Sequence, residues 1–176
     1  IYVRFEILNK KGDVNMRFIS ILLTLLFVLF FNNCYSQQTF IHKDAGVQLV
    51  IPAGWFYESE DNNITFYSED KEFVVSITIH EINNIESIID SLISNLTELY
   101  TSVDITDPKE DIIHGMKGWH IYGTVKNEEE VLIIQYGLYL TPNNKILELG
   151  VVASQDIFEK YKKDIKTIED GLKPLE

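Results

Sequence analysis

Three strand-length apolar segments, residues 118–126, 131–140 and 145–153, follow one another with only residues 127–130 and 141–144 between them. Parallel neighbours need a crossover of a dozen or more residues, so joints this short force antiparallel hairpins within one sheet. In the second segment Leu132, Ile134, Tyr136, Leu138 and Leu140 share a face, and in the third Leu147, Leu149, Val151 and Ala153 do. These two rows are expected to form the floor of the core.

The chain before this meander reads as more strands and a helix. Phe40-Ile41, the turn-prone Lys43-Asp-Ala-Gly46 and Val47-Gln-Leu-Val-Ile51, stopped by Pro52, make a hairpin. Residues 55–57 and 64–67 are expected to be short strands around a polar loop at 58–63. Phe73, Val75, Ile77 and Ile79 then alternate with Val74, Ser76, Thr78 and His80, a strand with one dry face and His80 on the polar one. From 85 to 100 the period changes: Ile85, Ile88, Ile89, Leu92, Ile93, Leu96, Leu99 and Tyr100 recur at helical spacing, with Asn83 or Asn84 as the cap. Residues 101–111 are an acidic connection or edge strand. A final helix has Ser154 as N-cap, Ile157, Phe158, Tyr161, Ile165 and Ile168 as its apolar stripe, Lys160, Lys162, Lys163 and Lys166 opposite, and Gly171 and Pro174 at its stop. The fold class is therefore α+β, a mostly antiparallel sheet flanked by helices.

Met16-Arg17 precedes an uncharged apolar run of 14 residues, Phe18 to Phe31. That is shorter than the roughly 20 residues a membrane-spanning helix needs, so residues 16–36 read as a secretion signal. Residues 1–15 read as an upstream extension from a wrong start. Cys34 and Ser36 are spaced like the small residues of a signal-peptidase site, which starts a single domain of residues 37–176 at Gln37. The alternative makes Cys34 a lipidated first residue, although Phe31-Asn32-Asn33 fits a lipoprotein signal poorly. Both place the domain outside the cytoplasm, secreted or periplasmic in one case and lipid-anchored to a bacterial membrane in the other. Residues 37–176 contain no cysteine, so stability rests on the core rather than on disulfides.

Setting aside Arg4, Glu6, Lys10, Lys11, Asp13 and Arg17 leaves 11 lysines, no arginine and 25 acids, a net charge of −14 for the mature domain. Such a field repels nucleic acid and anionic lipid, which leaves the signal or a lipid anchor as the route to a membrane. The missing arginine removes the side chain best suited to bidentate capture of phosphate.

An exported domain that opens with a hairpin, continues Val47-Gln-Leu-Val-Ile-Pro-Ala-Gly-Trp55, and runs strand, helix, meander, helix resembles the PsbP-like superfamily, including the DcrB-like bacterial envelope proteins. The resemblance spans about residues 40–175. It implies an α/β/α sandwich and an accessory or assembly role rather than catalysis, and it transfers no catalytic residue.

Candidate sites are sparse. His114 and His120, six apart with Gly115 and Gly118 between them, are weak candidates for a metal site, should the bend bring them together. His42 beside Asp44 and His80 beside Glu81 are pairs expected by chance in an acidic chain. Asp104, Asp107, Glu110 and Asp111 lack the spacing and central glycine of a calcium loop. No Gly-x-Ser-x-Gly stretch is present. Aromatic residues fall on both strand parities, so some must face outward. Trp55, Tyr57, Trp119 and Tyr122 are the candidate binding surface. The expected function is an exported, non-catalytic binding or assembly-accessory domain of the cell envelope, with a protein partner and no cofactor. A small-ligand or metal carrier of the same fold is the first alternative, and a carboxylate-based hydrolase the second. An aromatic-lined concavity with inward polar groups would favour the ligand reading, and a flat aromatic patch the protein partner.

Overall fold

The computed structural model describes residues 36–81 and 84–175. The signal, its cleavage site and Cys34 lie outside the described residues.

A hairpin of β1 (Gln38–His42) and β2 (Val47–Ile51) opens the fold, turning through Gly46 at φ +69°. Next come β3 (Phe56–Glu60), β4 (Asn63–Tyr67) and β5 (Val74–His80), then helix α1 (Ile85–Leu99). Short strands β6 (Ser102–Ile105) and β7 (Lys109–Ile113) lead to the meander β8 (Met116–Lys126), β9 (Val131–Leu140) and β10 (Ile146–Ala153). Helix α2 (Gln155–Gly171) and a two-residue strand β11 (Lys173–Pro174) close it. The main sheet has the order β3-β4-β5-β10-β9-β8-β6, with β7 sharing the outer edge of β8, and all its pairings are antiparallel. β11 joins β2 on the side away from β1.

Two local expectations change. The loop expected at 58–63 is a tight hairpin, because Asp61 takes the left-handed conformation at φ +50° and lets β3 run on through Glu60. Ser154 stands at the N-cap of α2 without a capping side-chain bond, whereas Asn84 caps α1 through its Oδ1, which accepts from the Ser87 amide at 3.2 Å.

The core is double, which corrects the single floor read from the sequence. β9 and β10 pair so that Leu147 faces Tyr139 and Gly150 faces Tyr136, which puts the even residues of β9 and the odd residues of β10 on opposite faces. Leu147, Leu149 and Val151 pack with β2, β4, β5 and Tyr161, Ile165 and Ile168 of α2. Ile134, Tyr136 and Leu138 pack with Ile146 of β10 and Ile88, Leu92 and Leu96 of α1. β9 and β10 are thus covered on both sides and carry near-continuous apolar sequence, while β5 keeps one wet face and alternates cleanly. Glycines let the large rings in: a Cβ on Gly150 would sit 2.5 Å from the Tyr136 ring.

Candidate functional site

The four aromatic candidates do not make one surface. Trp55 is only 6% exposed: the turn at Ala53-Gly54, closed by its own amide donating to the Pro52 carbonyl at 3.2 Å, points the indole edge-on against Phe73 and Tyr161. It is packed as a core residue rather than standing out as an exposed anchor. Tyr57 and Tyr122 are 43% and 42% exposed and share a sheet face, but they stand on β3 and β8, five strands apart in the sheet order. At about 4.8 Å per strand that is roughly 24 Å. Trp119, on the opposite parity of β8, packs against the α1 core and lies under the Lys117 ammonium, 5.3 Å from its ring centroid.

The histidine pair does not converge. His114 sits at the exposed tip of the β7–β8 turn with φ +49°, and His120 lies four residues into β8 from Met116, roughly 13 Å along the strand. Among the described residues no group of three or more His, Cys, Asp or Glu side chains is gathered as a metal ion needs.

Two clefts instead flank α2. The first, about 310 Å³, is lined by Ala53, Trp55, Glu69, Asp70, Tyr161 and Asp164. Its central carboxylate is fully engaged: Asp70 accepts from the Tyr161 hydroxyl, from Ser68 Oγ at 2.7 Å, from Lys160 Nζ at 2.9 Å and from the Glu72 amide at 3.1 Å. The Tyr161 bond above all, then those of Ser68 and Lys160, holds Asp70 well below the usual carboxylate range.

The second cleft, about 230 Å³, lies where α2 meets β8 and β9 and is lined by Tyr122, Gln135, Phe158, Lys162, Ile165, Lys166 and Glu169. Tyr122 and Gln135 are cross-strand partners. Gln135, 6% exposed, donates its Nε2 to Glu169 Oε1 at 2.6 Å. Burial pushes the Glu169 carboxyl above its ordinary value, against the lowering effect of Gln135. Further along the same face of β9, Tyr139 is fully buried, with its ring folded over Gly137 and Gly118. The His120 ring meets it edge-on at 5.8 Å. The Tyr139 hydroxyl and His120 Nδ1 are buried without a hydrogen-bond partner among the described residues. Burial raises the Tyr139 phenol far above its ordinary value and lowers His120, keeping both neutral.

Of the sequence candidates, only Tyr122 reaches this cleft's wall, with His120 close by. Gln135 and Glu169 were missed. A signal was present for Gln135, since it and Gly137 interrupt an otherwise apolar β9.

No protein-family model matches the chain, and no curated protein matches it. Solved structures do. Cyanobacterial PsbP (CyanoP) from Synechocystis sp. PCC 6803 superposes with a TM-score of 0.62 at 13% identity, covering 82% of this chain and 95% of that one. LpqN, involved in cell envelope biogenesis of Mycobacterium tuberculosis, gives 0.55 at 15% identity, covering 82% and 94%. At these identities the likeness concerns architecture, and the single eight-stranded antiparallel sheet with one helix on each face is the PsbP-like fold.

Proposed function

We propose that this is an exported, non-catalytic binding domain of the cell envelope, accessory to other components, that works through the cleft between α2 and β8–β9. The observation that carries this reading is the cleft itself: apolar walls from Tyr122, Phe158 and Ile165, polar groups from Gln135 and Glu169, and Lys162 and Lys166 at its rim. A pocket that is mostly apolar with few convergent polar groups is built to hold a ligand. The scattering of the four aromatics weighs against a flat aromatic docking patch for a protein. The likeness to LpqN, a protein of envelope biogenesis, supports the compartment, as does the apolar run behind Arg17. Among the described residues no helix is long and apolar enough to cross a membrane.

A hydrolase reading draws on the three carboxylates of the first cleft. Carboxylate chemistry needs one acid whose pKa is raised so that it can give up a proton, and Asp70 is shifted the other way. In the second cleft burial does raise Glu169, but it is the one carboxylate in that lining, so the partner carboxylate that such hydrolysis needs is not beside it.

Intact-mass measurement of the protein from its native envelope tests the export half of the reading. A chain starting at Gln37 supports it; a diacylglyceryl mass on Cys34 replaces a free domain with a lipid-anchored one, and an uncleaved cytoplasmic chain overturns export. Binding without turnover is tested by holding small-molecule mixtures with the protein: a compound that binds the cleft and stays intact supports it, and consumption of a compound overturns it.

A further inference from the structure

On α2, Phe158, Lys162, Ile165, Lys166 and Glu169 recur three and four residues apart, so they form one stripe along the border of the helix's buried face. Their chemistry is graded. Phe158 and Ile165 face the cleft with the Tyr122 ring, and Glu169 closes its far end against Gln135. Among the described residues only one Glu169 carboxylate oxygen is engaged, by that amide. Lys162 and Lys166 stand at the rim, paired at 3.2 Å with Glu159 and at 2.9 Å with Asp170, and these partners are all more than half exposed. Exposed pairs of this kind contribute about 0–1 kcal/mol and yield readily to a better partner.

The cleft therefore offers a half-buried carboxylate, an ammonium one helical turn away and an apolar wall beside them. Lys166 and Glu169 lie three positions apart on α2, so their side chains are neighbours on one face and can reach the two opposite charges of one small molecule. At about 230 Å³ the space is below the 300–1,000 Å³ typical of drug-sized ligands, which fits a single amino acid. We propose that the cleft binds a free α-amino acid with an apolar side chain: its ammonium on Glu169, its carboxylate on Lys166, and its side chain against Phe158, Ile165 and Tyr122. This rests on the reading of the cleft as the binding site.

The test is calorimetric titration of the purified protein with L-leucine and L-phenylalanine, beside leucinamide, which lacks the carboxylate, and N-acetyl-leucine, which lacks the ammonium. Amide NMR mapping with the same four probes and with cyclohexanol runs in parallel. The expected result is saturable binding of the free amino acids, at least tenfold weaker binding of each capped analogue, and a similar loss in Glu169→Gln and in the surface variant Lys166→Ala. Lys163→Ala, off the stripe, should bind as the parent does. Capped analogues binding as well as the free acids would point to peptide termini and overturn the assignment. Cyclohexanol shifting Tyr122, Gln135 and Ile165 while no amino acid does would overturn it too, leaving the cleft a binding site of other specificity. No probe shifting any cleft residue overturns both the assignment and the reading beneath it.

Discussion

Replacing Tyr139 by phenylalanine is expected to stabilise the protein. The side chain is fully buried, its hydroxyl crowds the place a Gly137 Cβ would take, and no partner for that hydroxyl exists among the described residues. A buried polar group left unpaired costs about 1–3 kcal/mol. Removing the oxygen leaves the ring, its contacts with Gly118 and its edge-on meeting with His120 in place, at the loss of one oxygen's packing. The net gain should sit at the lower end, ~1 kcal/mol, which for a domain of this size raises Tm by roughly 3 °C. Urea denaturation followed by tryptophan fluorescence reads it, with the midpoint moving up and the slope unchanged. A loss of 1 kcal/mol or more would refute the reasoning, because it would mean that the hydroxyl is satisfied in the folded protein.

Trp55→Ala should cost about 3–5 kcal/mol, as for a buried aromatic, and Tyr57→Ala less than about 1 kcal/mol, as for a half-exposed one; the same urea titration separates them, and equal costs would return Trp55 to the surface. Gly137→Ala puts a methyl group into the Tyr139 hydroxyl and against ring carbons at 2.7 Å, so about 1–3 kcal/mol of overpacking strain is expected, visible as a lower thermal midpoint and reduced near-ultraviolet dichroism. The folded state raises the Glu169 carboxyl above its ordinary value, so it retains a proton that the unfolded chain releases, and its contribution declines as pH climbs from the ordinary glutamate value of about 4.3 through the raised one. Stability of Glu169→Gln relative to the parent should therefore rise over that window and level off above it; parallel pH curves would contradict this.

Elements set by neighbours in sequence were legible. The 2-residue alternation at Phe73–His80, the switch to helical spacing at Ile85 and the short joints of the meander each define local structure, and together they give the antiparallel α+β sheet and its PsbP-like likeness. What could not be read was pairing across the sheet. Whether Ile134 and the other even positions of β9 share a face with Leu147 depends on register, and a one-residue shift reverses it; the observed register separates them into two cores. Nothing beside Trp55 in the sequence separates an anchor from a core residue, and it is the Phe73 and Tyr161 rings around it that make it core. The cleft needed three elements remote in sequence, with Gln135 and Glu169 34 residues apart.

Amide NMR mapping of the protein against a mixture of small envelope-relevant compounds, with one-dimensional spectra tracking each compound over several days, bears most directly on the claim of binding without chemistry. The expected outcome is shifts centred on Tyr122, Gln135, Phe158, Ile165 and Glu169 while every compound stays intact. Shifts centred on Glu69, Asp70 and Asp164, accompanied by consumption of a compound, would contradict it.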